Sequence, residues 1–456
     1  FVLNLPEVAA PTQKRLPFKE KIKWTVVSLV LFFILGSVSL FGLDPQSEFR
    51  FEQLQVILGA SFGSIISLGI GPIVTASIVL QLLSGAGILN LDNKTKEGKA
   101  FYQGVQKLLA IFFIFFESAI YVFMGGLTPD PTRFTGAAFF QVQLLLIFQL
   151  ILGGFMIMFM DEVVQKWGIG SGISLFIAAG VSQSLFVRLL SPVTPQDAEI
   201  AVGAIPALVQ SFLLQRTQDA ILNLSRIAAT VGVFVVAVYA QAMKVEIPLS
   251  FGRIRGHGIR WPLNFIYTSN IPVILVAALL ANIQLLARLF DNWGRPILGT
   301  FANGAPQSGF ITWVVAPQLL DRILLGTLTV MDVLHSFSYI LLMMGGAVMF
   351  SLFWVQTSGM DARSQAKQIM SSGLQIPGFR KDERVLERIL QRYIRPLTVM
   401  GAMTVGFLAA AADLSGALAN GTGLLLTVMI IYRFYEDIAK QHMMDMNPAM
   451  RKFMGK

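Results

Sequence analysis

Apolar runs about twenty residues long, separated by short polar connections, recur from one end of this chain to the other. A helix takes about 20 residues to cross about 30 Å of hydrocarbon. Ten windows have that character, some of them short or carrying one charge: Trp24 to Leu43, Ser64 to Leu83, Leu108 to Val122, Ala137 to Met160, Gly170 to Phe186, Arg226 to Met243, Phe265 to Leu286, Leu334 to Val355, Thr398 to Ala412 and Leu424 to Ile431. The pattern predicts an all-α integral membrane protein with ten transmembrane helices. The first window is too long for a signal peptide and lacks a small-residue cleavage site, so it is expected to remain as the first span.

One window, "SIISLGIGPIVTASIVLQLL" from Ser64 to Leu83, carries Gly69, Gly71 and Pro72 where an intact helix would be most wanted. Broken backbone at bilayer depth is tolerated where it is buried in protein or lines water, because lipid offers no hydrogen-bond partners. The longest outside connections run from about Arg188 to Asn223 and from about Arg288 to Asp332. Splitting at the first leaves five windows on each side, so the halves run in opposite directions. The second window of each half holds a proline, Pro72 in "GIGPIVTA" and Pro272 in "SNIPVILVAA". Two pseudo-symmetric inverted halves of five spans are therefore expected.

Ile70 and Val74 stand four apart, as do Ile173 and Ile177 in "GIGSGISLFIAAG", so each pair projects from one helix face. Glycines precede both pairs, and Gly421 and Gly423 likewise precede Leu424, Leu425 and Leu426. Two readings stay open: ordinary helix packing, or an apolar constriction that stops ions by dewetting. The stretch "FEQLQVILGASF", Phe51 to Phe62, is too short and too polar to cross, and fits a re-entrant or plugging helix. Glu117 is a carboxylate inside an apolar window. Such groups face a bundle interior or a functional path.

Composition narrows the function. Of 456 residues, 54% are hydrophobic and 13% charged, against about 25% charged in ordinary soluble domains. The net charge of +9 is unevenly placed: with an inside N-terminus, 27 of the 35 Lys and Arg fall on the inner side and 8 on the outer. Basic residues near span ends are kept on the cytoplasmic face, which puts both termini in the cytoplasm. Cysteine is absent, and His257, His335 and His442 are far apart in sequence, which leaves no zinc, disulfide or thiol chemistry. No GxxxxGK[ST] run is present, so no internal nucleotide engine is expected, no cofactor is called for and any energy source is external.

Seven motifs in order then resemble one family: "LGIGPIVTA", "GIGSGISLFIAAGVSQ", "VEIPLSFGRIRG", "SNIPVILVAALLANIQ", "SGMDARSQAKQ", "RVLERILQRYIRPLTVMG" and "NGTGLLLTV". Together they resemble the large subunit of the Sec protein-conducting channel, SecY, in its archaeal branch, over about Phe18 to Tyr435. The resemblance implies a clamshell of two five-helix halves around a central hourglass pore, with a pore ring on Ile70, Val74, Ile173, Ile177, Ile274 and Leu426. It implies a plug over about 51–62, with Phe51, Leu54, Val56, Ile57 and Leu58, and a lateral gate whose polar cluster is Thr75, Glu117 and Asn282. Ribosome docking falls on two inner loops, at Arg253, Arg255, Arg380 and Lys381, where Arg would meet rRNA phosphate with its planar fork. Lys99 stands where relatives often have Arg, which keeps the charge and loses the bidentate geometry.

With the resemblance, the expected layout is a cytoplasmic segment 1–23, a first half 24–190 and an external hinge loop 191–225. A second half then covers 226–435, with cytoplasmic loops over about 244–262 and 357–396, and a cytoplasmic tail covers 436–456. The expected function is a passive pore in the cell membrane that passes unfolded secretory polypeptide and releases apolar segments sideways into lipid. Expected partners are a small clamp subunit (SecE or gamma), a peripheral beta subunit, the ribosome through rRNA at its tunnel exit, nascent secretory and membrane proteins, and the lipid bilayer.

Two other classes compete. A secondary transporter also uses inverted halves and broken helices, but it needs ionisable groups converging at the midplane. Glu117, Arg226 and Asp413 form no obvious relay in the sequence. An intramembrane protease needs paired aspartates or an activated nucleophile, whereas Asp161 and Asp413 fall in opposite halves at span ends.

Overall fold

Every apolar window becomes a helix in the computed structural model, which describes residues 5–12, 16–44, 63–85, 88, 96–194, 200–251, 258–268, 270–302, 305–371, 374–375 and 383–446. In the first half the helices are α1 Phe18–Ser37, α2 Gly71–Gly85, α3 Lys96–Phe123, α4 Ala137–Trp167 and α5 Gly172–Leu190, followed by a short α6 Ala204–Leu213. The second half has α7 Thr217–Ala242, strands β1 Lys244–Phe251 and β2 Gly258–Asn264, α8 Ile271–Asn292, strands β3 Thr300–Ala302 and β4 Ala305–Ser308, and short helices α9 Ile311–Val314 and α10 Leu319–Leu324. It closes with α11 Val330–Thr357, α12 Ala362–Ser371, β5 Leu374–Gln375, α13 Glu383–Leu414 and α14 Gly421–Met446. Among the described residues, seven helices are long and apolar enough to cross a membrane by length and composition. Their outer faces are greasy: Val231, Phe234, Val235 and Tyr239 of α7 and Val26, Val30 and Ile34 of α1 are exposed. Apolar area on that scale belongs against lipid.

Helix α2 starts later than the apolar window predicts. Residues 65–70 run as turns, and Ile66, Leu68 and Ile70 in them are nearly fully buried. The turn is self-sufficient in hydrogen bonds: Ser67 N–H reaches Ser64 O at 3.0 Å, Gly69 N–H reaches Ile66 O at 2.9 Å and Gly71 N–H reaches Leu68 O at 3.1 Å. Gly69 has φ +53, a left-handed value that side-chain-bearing residues resist. Helix α4 packs onto this turn so closely that a Cβ on Gly153 would stand 1.8 Å from the Ile65 carbonyl oxygen. Satisfied backbone and a glycine opposite it are what allow a non-helical segment to lie at depth.

The halves meet through few pairs. Helix α2 packs on α3 of its own half and on α8 and α11 of the other, while α14 packs on α5. A second, smaller core lies at one end of the bundle. Strands β1 and β2 pair antiparallel from Lys244 opposite Asn264 to Ser250 opposite Gly258, and β5 adds to the free edge of β1. Ile247 and Leu263 of the hairpin bury against Ala366 and Ile369 of α12 and Leu386, Leu390 and Ile394 of α13. Helix α13 therefore begins fifteen residues before its apolar window, because its first turns serve this extra-membrane unit. The Tyr267 hydroxyl donates to Met360 O at 2.7 Å, fastening the unit to the end of α11. Burial, with Asp361 nearby, pushes that phenol well above the ordinary tyrosine value.

Candidate functional site

The two prolines begin helices. Pro72 is the second residue of α2 and Pro272 the second of α8. A proline costs nothing in a first turn, where its missing N–H would have no intrahelical partner. The equivalence continues: Val74 and Ile274 are both fourth, and their N–H groups reach Ile70 O and Asn270 O, each at 3.1 Å. Helices α5 and α14 repeat the pattern with glycine in first place, and Ile177 and Leu426 are both sixth. Four of the six ring positions thus pair across the two halves by helix register.

All six belong to the main apolar core. Ile70, Val74, Ile177, Ile274 and Leu426 are buried, and Ile173 packs against them half-buried. Val74, Ile173 and Ile274 close one wall of a cavity of about 590 Å³. Its other walls carry Ser77, Gln81, Tyr102 and Gln106, and toward the hairpin end Trp354, Thr357, Ser358, Arg433 and Asp437. A vestibule of mixed polar and apolar side chains therefore meets the branched aliphatics Val74, Ile173 and Ile274. Such a surface offers no fixed hydrogen bonds, the property that lets an apolar constriction in a water-filled path stop ions by dewetting.

The gate residues also come together. Asn282 Nδ2 of α8 donates to Thr75 Oγ1 of α2 at 2.9 Å, while the Thr75 hydroxyl donates to Gly71 O at 2.8 Å. Glu117 of α3, half-buried, stands beside Thr75. Gln106 Nε2 of α3 donates to Ser77 Oγ of α2 at 2.6 Å and ties these two helices at a second point. The apolar-window pattern marked neither Ser77 nor Gln106. Isolated polar residues in a hydrophobic run are a weak signal without a partner in view.

The plug positions Phe51, Leu54, Val56, Ile57 and Leu58 and the docking positions Arg253, Arg255, Arg380 and Lys381 lie outside the described residues, as does the Lys99 side chain. Their supports are described. Residues 252–257 connect β1 to β2, and 376–382 connect β5 to α13, so both basic segments leave the same three-stranded sheet.

Comparisons with known proteins identify the family and the fold. A family model described as SecY matches residues 64–435, and one described as the plug domain of Sec61p matches residues 30–63. The curated protein translocase subunit SecY of Methanothermobacter thermautotrophicus is 45% identical, with 99% of this chain and 97% of that protein covered. That of Methanocaldococcus jannaschii is 42% identical, with 99% and 98% covered. Among solved structures, one described as "The structure of a protein conducting channel" aligns with TM-score 0.84 and 41% identity over 98% of both chains. Another, "Sec61 in the Canine ribosome-channel complex from the endoplasmic reticulum", aligns with TM-score 0.81 and 41% identity over 98% of both.

Proposed function

The chain belongs to the SecY family, and from that premise we propose that its six branched side chains, Ile70, Val74, Ile173, Ile177, Ile274 and Leu426, are the seal of a protein-conducting pore. The protein is the pore-forming subunit of a protein translocase: it passes unfolded secretory polypeptide across the membrane and releases apolar segments sideways into lipid. One observation carries the seal: Val74 with Ile274, and Ile177 with Leu426, recur at the same register in paired helices of both halves, and Val74 and Ile274 line the cavity together with Ile173.

The sideways exit is the seam between α2 and α3 on one side and α8 and α11 on the other, latched by Thr75 and Asn282. Selection is by partition. Leu or Phe at a helix centre gains about 0.3 to 0.6 kcal/mol in lipid, whereas Lys, Arg or Asp costs about 2.5 to 3.5. A twenty-residue apolar segment leaves through the seam, and a charged one continues through the ring.

The protein is a multi-pass membrane transport component. The bias in Lys and Arg supports cytoplasmic termini in the cell membrane, with the hairpin unit on the cytoplasmic face. There Arg253, Arg255, Arg380 and Lys381 meet ribosomal RNA, a small clamp subunit and a beta subunit complete the complex, and transport involves no catalytic step. The segment over about 51–62 serves as the plug, and the halves hinge at 191–225. Ion conductance in planar bilayers tests the seal. Ile173→Gly with Ile177→Gly raises the resting leak if the ring seals, and an unchanged leak refutes it.

A further inference from the structure

We propose that Asp161 and Asp413 are paired positioning residues of the apolar ring: each, from near the end of one span, holds the start of the next helix, the one that carries ring side chains. Asp161 lies in α4 and Asp413 in α13. Asp161 Oδ1 accepts the N–H of Ile173, the second residue of α5, at 3.0 Å. Asp413 Oδ1 accepts the N–H of Thr422, the second residue of α14, at 2.7 Å. The same atom of the same residue type meets the same helical position in both inverted halves.

The remaining carboxylate oxygens are held too. Asp161 Oδ2 accepts from Gln165 Nε2 at 2.8 Å. Asp413 Oδ2 accepts from the Tyr339 hydroxyl at 2.6 Å and from the Thr422 hydroxyl. Each aspartate is therefore fixed by its own surroundings before it fixes the helix. Helix α5 has no cap of its own, since the Ser171 side chain makes no capping bond. A helix N-terminus leaves unpaired N–H groups and a partial positive charge, and a carboxylate from the neighbouring span answers both.

The glycines set the distance. A Cβ on Gly172 would lie 2.6 Å from Asp161 Cα, and one on Gly421 would lie 2.0 Å from the Ala412 carbonyl carbon and 2.4 Å from Asp413 N. With glycine in first place and a carboxylate on the second N–H, neither helix can slide or turn without losing a charge-assisted bond. Ile177 and Leu426, four residues on, are thereby set in height and rotation. Each device is contained within one half, so the halves can part while each keeps its share of the ring in place.

This inference rests on the ring reading, and the test separates the two. The full complex is reconstituted in planar bilayers with Asp161→Ala, Asp161→Asn, Asp413→Ala, Asp413→Asn or Ile177→Gly, and resting ion conductance is measured. The chain has no cysteine, so oxidative cross-linking of Ile177→Cys to Leu426→Cys reports ring geometry without background. The Ala variants should raise the leak about tenfold, the population shift that loss of one N-terminal cap carries, and should slow the cross-link. The Asn variants, which keep a neutral acceptor, should hold the leak within about threefold of the parent. Ala variants that melt cooperatively yet leak and cross-link like the parent overturn the assignment. If the Ala variants do not fold, the Asn variants decide: a leak as large as that of Ile177→Gly overturns it. Should Ile177→Gly itself not leak, the ring reading fails first, whatever the aspartates do.

Discussion

The proposed pore ring and the hairpin unit are both packed from aliphatic side chains, yet they are assembled in opposite ways. The ring draws on α2 and α5 from one half and α8 and α14 from the other, and a side-chain bond from Asn282 to Thr75 joins α8 to α2. The hairpin unit draws on β1, β2, the end of α11, α12 and the first turns of α13, all within the second half, around its own core. A region shared between two bodies can part along a seam. One contained in a single body moves with it. The consequence for transport is that the pore can open while the proposed docking face keeps its shape.

Breaking the self-contained region should have the largest effect. Leu390 is fully buried at the centre of the hairpin unit, and Leu390→Ala should cost about 3 kcal/mol, within the range for buried leucine truncations. Limited proteolysis should then cut between β1 and β2 and before α13, while resting ion conductance stays at the parent level. A leak in this variant would mean that the two regions are coupled. Next is Gly153→Ala, which places a methyl group where the Ile65 carbonyl oxygen already stands. Overpacking against backbone should cost about 2 to 3 kcal/mol. Here the loss should appear as reduced thermal stability with a raised leak, because the displaced turn leads into Ile70 and α2.

A smaller effect sharpens the comparison. Asn282→Ala removes the bond across the seam and leaves the Thr75 hydroxyl its bond to Gly71 O. A net loss of about 1 kcal/mol should favour the parted state about fivefold. Reporter segments of graded hydrophobicity should then enter lipid at a lower threshold, with melting unchanged. An unaltered threshold would place the latch elsewhere on the seam.

Much of this division was legible in the sequence, for physical reasons that differ between regions. Ten apolar windows foretold the spans because lipid tolerates little else. Pro72 and Pro272 stand out in the sequence as matched interruptions, but their role as second residues of helices depends on where the helices start, which hydropathy cannot report. The hairpin unit was harder. "KVEIPLSF" and "IRWPLN" pair as strands only because α12 and the first turns of α13 supply the other wall, and residues more than a hundred apart leave no local signature of that packing. Asp161 and Asp413 are visible in the sequence as span-end acids, yet the partners that matter here are backbone N–H groups, to which sequence pattern is blind.

The smallest predicted effect probes the contact between the two regions. Lys244 begins β1, and its Nζ lies 2.9 Å from Glu436 Oε1 on α14, the helix that carries Leu426. The hydrogen bond to the Glu436 carboxylate raises the Lys244 ammonium above its ordinary value of 10.5; burial opposes it, and the charges of Glu436 and then Tyr432 add smaller upward contributions. A cation whose folded value is raised adds stability that is complete below 10.5 and disappears as pH climbs through the raised folded value. Lys244 is 37% exposed, so solvent screening holds the contribution to about 0.3 kcal/mol. Hydrogen exchange in β1 should therefore quicken slightly more above pH 10.5 in the parent than in Lys244→Met, while exchange in the buried part of α14 should not distinguish them. If both segments respond together, the ion pair couples the proposed docking face to the pore, and the hairpin unit is less self-contained than its core makes it.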